Sequence, residues 1–176
     1  MIKTYIRSSS IMKEFSHPTF PTIHIQLLNK QDHTEMIQQF VSENHAHLTN
    51  NAVALTAAEV LNELLDFVPS QNSTRDKNLY GIFDNQKLIG LIDWITNTPT
   101  EGTALIREFT LEPSYFEAGL ALPLYHALEQ MAHETDAEKI TVALEASKAN
   151  MIAFWQEQGF EKEVEQANTI SLTKNI

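Results

Sequence analysis

Residues 106–132 read IREFTLEPSYFEAGLALPLYHALEQMA, and this stretch decides the fold. A run rich in apolar and β-branched residues ends at Pro113, a short polar turn with Gly119 follows, and apolar residues then recur at helical spacing. The pattern predicts a strand, a tight turn and a helix that begins close to Gly119 or Leu120. Such a helix N-terminus offers unpaired N–H groups and the positive end of the helix dipole to an anion. An ordinary strand-turn-helix connection is the alternative interpretation.

The chain is long enough for one domain with a sizeable core. It has 176 residues, of which 43% are hydrophobic and 20% charged, and it contains no cysteine. The lack of cysteine excludes disulfides, thiolate metal sites and a cysteine nucleophile, and it suits the cytoplasm. No apolar run reaches the length of a membrane span, and no secretory leader is visible, so no membrane partner is expected.

The charge is strongly acidic. Lys and Arg number 12 against 23 Asp and Glu, which gives a formal net charge of −11. A nucleic-acid partner held through its phosphates is therefore not expected. The acidic surface favours cationic partners such as amines, although solubility alone also accounts for it. An anionic ligand would have to be held locally, by backbone N–H groups, against this field.

The order of predicted elements indicates one α/β domain with a mixed central sheet. Residues 1–20 show no clear period and are interpreted as an N-terminal tail or arm, with the domain spanning residues 21–176. The strand containing Trp94 is expected to pair antiparallel with the strand over 104–111, which pairs parallel with the strand around Val142. Strands are predicted over 22–28, 79–83, 87–96, 104–111, 140–144, 162–166 and 169–173.

Cap signals mark the ends of the predicted helices. The pairs Asp32/Glu35 and Thr56/Glu59 resemble capping boxes at the starts of the first two helices. Ser147 is predicted to cap the last helix, whose end carries a glycine suited to the C′ position. With the helix after the glycine turn, these signals predict about four helices around the sheet.

Two stretches, LEPSYFEAGLALPLYHALEQMA over residues 111–132 and ASKANMIAFWQEQGF over residues 146–160, are similar to motifs of the GNAT superfamily of acyl-CoA-dependent N-acyltransferases. The first resembles the family loop V-x-P-x-[YF]-[RQ]-x-x-G-x-[GA] and the helix after it. Its matching positions are Leu111, Pro113, Tyr115, Gly119 and Ala121. The second resembles N-x-x-A-x-x-[FL]-Y-x-x-x-G-F. Its matching positions are Phe154, Gly159 and Phe160. The resemblance extends over residues 22–173 and implies a single-domain GNAT-like fold with a mixed sheet of six to seven strands.

This resemblance implies an N-acetyltransferase that uses acetyl-CoA as cosubstrate and no metal. The acetyl group would pass directly to a primary amine of a small-molecule or peptide acceptor in a ternary complex. The N–H of Leu111 would bind the thioester carbonyl, and Glu108 is the candidate base. Pairing of Glu108 with Arg107 or with a neighbouring strand is the structural alternative. The resemblance also implies that Lys148 or Asn150 reaches the cofactor arm. The pyrophosphate would be held by backbone N–H groups of the loop that contains Phe116, Glu117, Ala118, Gly119, Leu120 and Ala121.

Several residues depart from the family pattern. Phe116 stands where the family has Arg or Gln, and Glu117 and Ala118 add no positive charge. Trp155 stands where many members have a tyrosine that protonates the leaving thiolate, and indole cannot act as an acid at neutral pH. Tyr115 and Tyr125 are weaker stand-ins for it.

These departures keep other functions open. One alternative is a catalytically inactive GNAT-fold acyl-CoA sensor or interaction module. A nucleotide-binding α/β domain ranks lower because the chain has no phosphate loop with a lysine. The histidines are interpreted as structural or exposed, since their spacing completes no metal site. A homodimer is one alternative for the oligomeric state.

Overall fold

The computed structural model describes residues 12–13, 15–48, 55–69 and 76–176. Residues 1–11 and 14, most of the expected N-terminal arm, lie outside this part of the chain. A 3-10 helix spans His45–His47. The strands are β1 (Met12–Lys13), β2 (Ile23–Leu27), β3 (Lys77–Asp84), β4 (Lys87–Thr96), β5 (Thr103–Leu111), β6 (Lys139–Glu145), β7 (Glu161–Gln166) and β8 (Thr169–Asn175). The helices are α1 (Lys30–Asn44), α2 (Ala57–Asp66), α3 (Pro113–Glu117), α4 (Ala121–Glu134) and α5 (Ala149–Glu157).

The strands form one mixed sheet in the order β1-β2-β3-β4-β5-β6-β8-β7. Strands β5 and β6 pair parallel, and every other neighbouring pair is antiparallel. The predicted single α/β domain, its antiparallel β4–β5 pair and its parallel β5–β6 pair are confirmed. Seven strands match the predicted sheet, and the two-residue β1 adds a short edge strand that the sequence pattern did not reveal.

The helix ends follow the predicted caps only in part. Thr56 and Glu59 form the capping box expected for α2. Asp32 does not cap α1, because Asn29 occupies the N-cap position and its side chain accepts the N–H of Asp32. Ser147 does not cap α5 either, because Lys148 occupies the N-cap position without a side-chain cap. Helix α3 was predicted as a turn, since five residues are too few to show a helical period.

Two apolar cores lie on opposite faces of the sheet. One packs between the sheet and helices α4 and α5 and includes Ile92, Phe109, Leu111 and Trp155. The other packs under α1 and α2 and includes Leu91. Directly opposed residues of neighbouring strands point to the same face. The pairing of Ile92 with Phe109 and of Leu91 with Thr110 therefore directs Phe109 to the α4/α5 face and Thr110 to the α1/α2 face.

A β-bulge interrupts the central strand β5. Asp93 pairs with Glu108, and the next residue Trp94 pairs with Ile106, so Arg107 is the extra residue. The extra residue shifts the in-out alternation of β5, because each residue of a strand otherwise points opposite to its neighbour. Ile106 and Phe109 consequently enter the same core although they are three positions apart. The bulge thus orients the last four residues of β5.

Candidate active site

The parallel strands β5 and β6 separate halfway along their length. Their pairing runs only from Thr103 opposite Lys139 to Ile106 opposite Val142. Strand β5 continues for five more residues, to Leu111, without β6 beside it. A cleft of about 440 Å³ opens there. Its wall consists of Ala46, His47, Phe109, Thr110, Leu111, Pro113, Phe116, Glu117, Lys148, Asn150 and Met151.

The cleft brings together half of the residues expected to form the site. Leu111, Phe116, Glu117, Lys148 and Asn150 all lie in its wall. They come from the end of β5, from α3 and from the start of α5, which are distant in sequence. Among the described residues, the wall does not include the candidate base Glu108 or the loop residues Ala118, Gly119, Leu120 and Ala121.

The backbone of Leu111 faces the open edge of β5. The next N–H, that of Glu112, donates to the carbonyl of Ile89 at 2.8 Å, toward β4. Successive N–H groups of a strand point to opposite sides. The N–H of Leu111 therefore points away from β4, to the side where β6 has already diverged. A backbone donor at the open edge of a cleft is suited to hold a carbonyl oxygen.

Gly119 ends helix α3 in a Schellman motif. Its φ of +84° lies in the left-handed region, which glycine enters without strain. The N–H of Gly119 donates to the carbonyl of Phe116 at 3.0 Å, and the N–H of Leu120 donates to the carbonyl of Tyr115 at 3.1 Å. The N–H of Ala118 also bonds within the turn. Three of the donors expected to hold an anion thus satisfy carbonyls of α3.

The N–H groups of this joint that are placed to bind an anion are therefore those of the first turn of α4. Pro123 has no N–H, and the N–H of Leu124 donates to the carbonyl of Leu120 at 3.3 Å. Ala121 and Leu122 are the first two residues of α4, so their N–H groups precede any acceptor inside the helix. These two N–H groups carry the positive end of the helix dipole.

Glu108 is buried beside the cleft, with 5% of its surface exposed. Its carboxylate accepts a hydrogen bond from the hydroxyl of Thr110. Glu108 and Thr110 are two residues apart on a strand, and both point to the α1/α2 face. Thr110 belongs to the cleft wall although only 1% of its surface is exposed, so this hydrogen bond links a wall residue to the carboxylate.

Arg107 bonds to a different carboxylate, that of Asp93, and not to Glu108 as one interpretation predicted. Asp93 is fully buried, with Lys77 Nζ 2.5 Å from Oδ1 and Arg107 Nε 2.7 Å from Oδ2. The guanidinium also reaches Glu63 of α2 at 2.9 Å and stacks over Phe67. Burial lowers the pKa of Lys77, against the opposing effect of Asp93. Sequence reasoning missed this cluster, although an aspartate inside the apolar run LIDWI was its signal.

The two tyrosines considered as acids bond away from the cleft. Tyr115 donates from its hydroxyl to Asp84 Oδ2 at 2.8 Å, and this hydrogen bond, with burial, raises the pKa of Tyr115 to about 12. Tyr125 donates to Glu129 at 2.6 Å and accepts from Lys174 at 2.7 Å. Among the described residues, neither tyrosine forms part of the cleft wall.

Trp155 is a core residue. Only 1% of its surface is exposed, and its ring packs edge-on against Phe109 with centroids 5.3 Å apart. It also contacts Phe160, as the C3 and C″ residues of a Schellman motif do. The position that resembles the family tyrosine therefore contributes packing to this protein.

Lys148 spans the cleft and joins two of its walls. Its Nζ donates to the carbonyl of Ala46 at 2.9 Å, which ties the 3-10 helix after α1 to the start of α5. His47 follows in the same wall and is exposed. Sequence reasoning gave His47 no role, because only the tertiary fold brings residues 46–47 beside residue 148.

The comparisons with known proteins agree with this architecture. A family model described as an acetyltransferase (GNAT) domain matches residues 25–174. No curated protein sequence matches the chain significantly. An acetyltransferase from Thermus thermophilus superposes with a TM-score of 0.69 at 15% identity, covering 89% of this chain and 99% of the other. One from Streptococcus agalactiae gives 0.66 at 15% identity, covering 89% and 100%.

A third similar structure contains a ligand. It is an aminoglycoside acetyltransferase in complex with coenzyme A, with a TM-score of 0.64 at 17% identity, covering 87% of this chain and 94% of the other. The fold is thus shared with these acetyltransferase structures. The chain belongs to the GNAT acetyltransferase family. In the described ranges, each helix is too short or too polar to cross a bilayer.

Proposed function

We propose that this protein transfers an acetyl group from acetyl-CoA to a primary amine of a small-molecule or peptide acceptor. The amine attacks the thioester directly while both substrates are bound. The observation that carries the proposal is the N–H of Leu111, which points to the open edge of β5 inside the cleft. A preorganised donor of this kind stabilises a developing oxyanion by roughly 3 kcal/mol.

The cleft wall and the first turn of α4 together fit a long, flexible donor in which apolar and polar segments alternate and which carries phosphate groups. Phe109, Phe116 and Met151 provide apolar contact, while Lys148 and Asn150 provide polar groups. The N–H groups of the first turn of α4 provide the site for a phosphate. Acetyl-CoA supplies the activated acyl group, and these residues of the chain bind and orient it.

The amine must lose a proton before it attacks. An alkylamine has a pKa near 10, so neutralising it at pH 7 costs about 4 kcal/mol without assistance. Glu108, buried next to the cleft, is the proposed base. The net charge of −11 favours the approach of a cationic acceptor.

The test is a steady-state assay of thiol release with acetyl-CoA and a panel of primary amines. Glu108→Gln should lower kcat about 100-fold or more. The dissociation constant for acetyl-CoA should change by less than about twofold, which is close to the precision of a titration. Glu112→Gln is the matched control, because Glu112 pairs with Lys87 outside the cleft wall. Equal losses of turnover and cofactor affinity in Glu108→Gln would remove Glu108 from the role of base.

A second candidate function is an acyl-CoA sensor without catalysis. It is favoured by Trp155, which fills the position of the family acid with a buried ring. Calorimetric titration with acetyl-CoA separates the two functions. Tight binding without product from any amine supports the sensor, and product supports the enzyme. No binding at millimolar acetyl-CoA would contradict both.

A further inference from the structure

We propose that the hydroxyl of Thr110 is a catalytic proton relay between the acceptor amine and Glu108. The proposal rests on the proposed amine acetylation. Both residues are buried, Thr110 with 1% and Glu108 with 5% of its surface exposed, and of the two only Thr110 belongs to the cleft wall. The Thr110 hydroxyl donates its hydrogen bond to the Glu108 carboxylate. Thr110 is therefore the residue that links the cleft wall to the carboxylate.

The bulge of β5 creates this arrangement. Because Arg107 is the extra residue, Glu108 and Thr110 both point to the α1/α2 face. There they pair across the strands with Asp93 and Leu91 of β4. The cleft continues to that face, since Ala46, in the 3-10 helix that follows α1, belongs to its wall. Phe109 and Leu111 point to the other face and line the remaining part. An amine that enters from the α1/α2 side thus approaches the thioester past Thr110.

Of the two buried carboxylates on this face, Glu108 is the one that accepts a hydrogen bond from a residue of the cleft wall. Asp93 already has Lys77 on one oxygen and Arg107 on the other, which stabilises its charged form. The charged or titratable groups of the cleft wall are His47, Glu117 and Lys148, on three other elements. Lys148 is bonded to the carbonyl of Ala46.

A hydroxyl can pass a proton from the ammonium to the carboxylate and is itself unchanged afterwards. A threonine hydroxyl has one donor hydrogen and two acceptor lone pairs, so it can donate to Glu108 while it accepts from an ammonium N–H. The ammonium gives its proton to Oγ1 of Thr110 as the hydroxyl proton moves to the Glu108 carboxylate. The neutral nitrogen then forms the C–N bond, and the carbonyl electrons move to the oxygen held by the N–H of Leu111.

The intermediate collapses when the C–S bond breaks and sulfur leaves with the electron pair. The second nitrogen proton passes to the thiolate, which yields the amide and the free thiol. Glu108 returns its proton to solvent through Thr110, so one proton is released for each ammonium consumed. No oxidant, metal or further reactant is required.

The test compares Thr110→Val and Thr110→Ser with the wild-type enzyme. Valine keeps the shape but removes the hydroxyl, so kcat at pH 7 should fall about 100-fold or more. Serine keeps the hydroxyl and should retain turnover within about tenfold. Titration with acetyl-CoA should give unchanged affinity for both variants, and urea unfolding should show that both are folded.

The pH profile supplies a readout that a purely structural role would not move. As pH rises toward the amine pKa of about 10, a larger fraction of the acceptor is already neutral. The ratio of wild-type kcat to Thr110→Val kcat should therefore shrink. The double variant Thr110→Val/Glu108→Gln should be no slower than the slower single variant. Additive losses, or a deficit independent of pH, would overturn the relay.

Failure of the relay is distinguishable from failure of the proposed function. Wild-type turnover in Thr110→Val together with a slow Glu108→Gln would show that Glu108 takes the proton without Thr110. Wild-type turnover in both variants would remove both from proton transfer while leaving acetylation intact. An inactive wild-type protein with every amine would contradict the proposed function and the relay together.

Discussion

The Nε atom of Arg107 lies 2.7 Å from Oδ2 of Asp93, directly at the bulge of β5. Arg107 is the extra residue of the bulge, and Asp93 is its fully buried neighbour on β4. Lys77 binds the other carboxylate oxygen, and Glu63 binds the far side of the guanidinium. The ionic cluster therefore fixes the backbone irregularity that turns Glu108 toward the α1/α2 face.

Asp93→Asn should destabilise the protein strongly. It would remove the buried charge that Lys77 and Arg107 share, while Arg107 keeps its contact with Glu63, and breaking a buried pair typically costs about 3–5 kcal/mol. Urea unfolding measures the change. The control is Asp66→Asn, since Asp66 pairs with Lys30 on the surface and such pairs contribute at most about 1 kcal/mol. If both variants lose a similar amount of unfolding free energy, the buried cluster contributes little to the stability of the protein.

Gly90→Ala should impair turnover as well as stability. Gly90 pairs with Leu111, and a Cβ at this position would lie 2.5 Å from the backbone carbonyl of Thr110. Backbone cannot rotate away as a side chain can, so β5 should shift at Leu111 and kcat should fall by about tenfold or more. Overpacking of this kind costs about 1–3 kcal/mol in unfolding experiments.

The matched control for Gly90 is Gly81→Ala. A Cβ at Gly81 would meet only ends of side chains, the nearest being Phe83 Cε2 at 2.6 Å. This variant should lose stability by a similar amount and keep its kcat, because nothing in the cleft wall moves. A loss of turnover in Gly81→Ala equal to that in Gly90→Ala would disconnect activity from the backbone position of Leu111.

The predictable part of this fold depends on local signals. The glycine at 119, the apolar period after it and the run before Pro113 lie within one short stretch, so the β5–α4 joint could be predicted from that stretch. The parallel pairing of β5 with β6 could then be predicted, because a helix that connects two neighbouring strands allows them to run parallel. The same local reasoning predicted the Thr56 cap of α2.

The remainder depends on contacts between residues distant in sequence. The bulge at Arg107 arises from pairing with β4, and its guanidinium meets Glu63, 44 positions away. The cleft wall joins residue 46 to Lys148, 102 positions away. The use of the Gly119 and Leu120 N–H groups by α3 was also missed, because a five-residue helix shows no period in sequence. These contacts become visible only when the chain is folded.

Tyr115→Phe should reduce stability only within a limited pH range. The hydrogen bond to Asp84 raises the pKa of Tyr115 to about 12, so its stabilisation is complete below about pH 10 and is lost as pH rises toward 12. Hydrogen bonds from Thr22 and Tyr115 lower the pKa of Asp84, so the stabilisation is also lost as pH falls through that lowered value.

Thermal unfolding of wild type and Tyr115→Phe between about pH 3 and pH 11 measures this effect. The difference in Tm should be largest between about pH 5 and pH 10 and should narrow at both ends. Asp84→Asn should show a similar window, because it replaces the charged acceptor of the same hydrogen bond by a neutral amide. A difference that is constant across the range would mean that only ring packing changed.

Glu117→Gln should tighten the binding of coenzyme A. Glu117 lies in the cleft wall, four residues before the start of α4, so its negative charge should oppose an anionic ligand bound there. A like charge near a protein surface contributes about 1 kcal/mol, so the dissociation constant should fall about fivefold at low salt. The gain should shrink as ionic strength rises, because salt screens exposed charges.

The control is Glu157→Gln, which makes the same charge change on the exposed surface of α5, outside the cleft wall. It should leave the affinity for coenzyme A nearly unaltered. Equal tightening in both variants would assign the effect to net charge, and tightening in neither would locate the pyrophosphate away from α3.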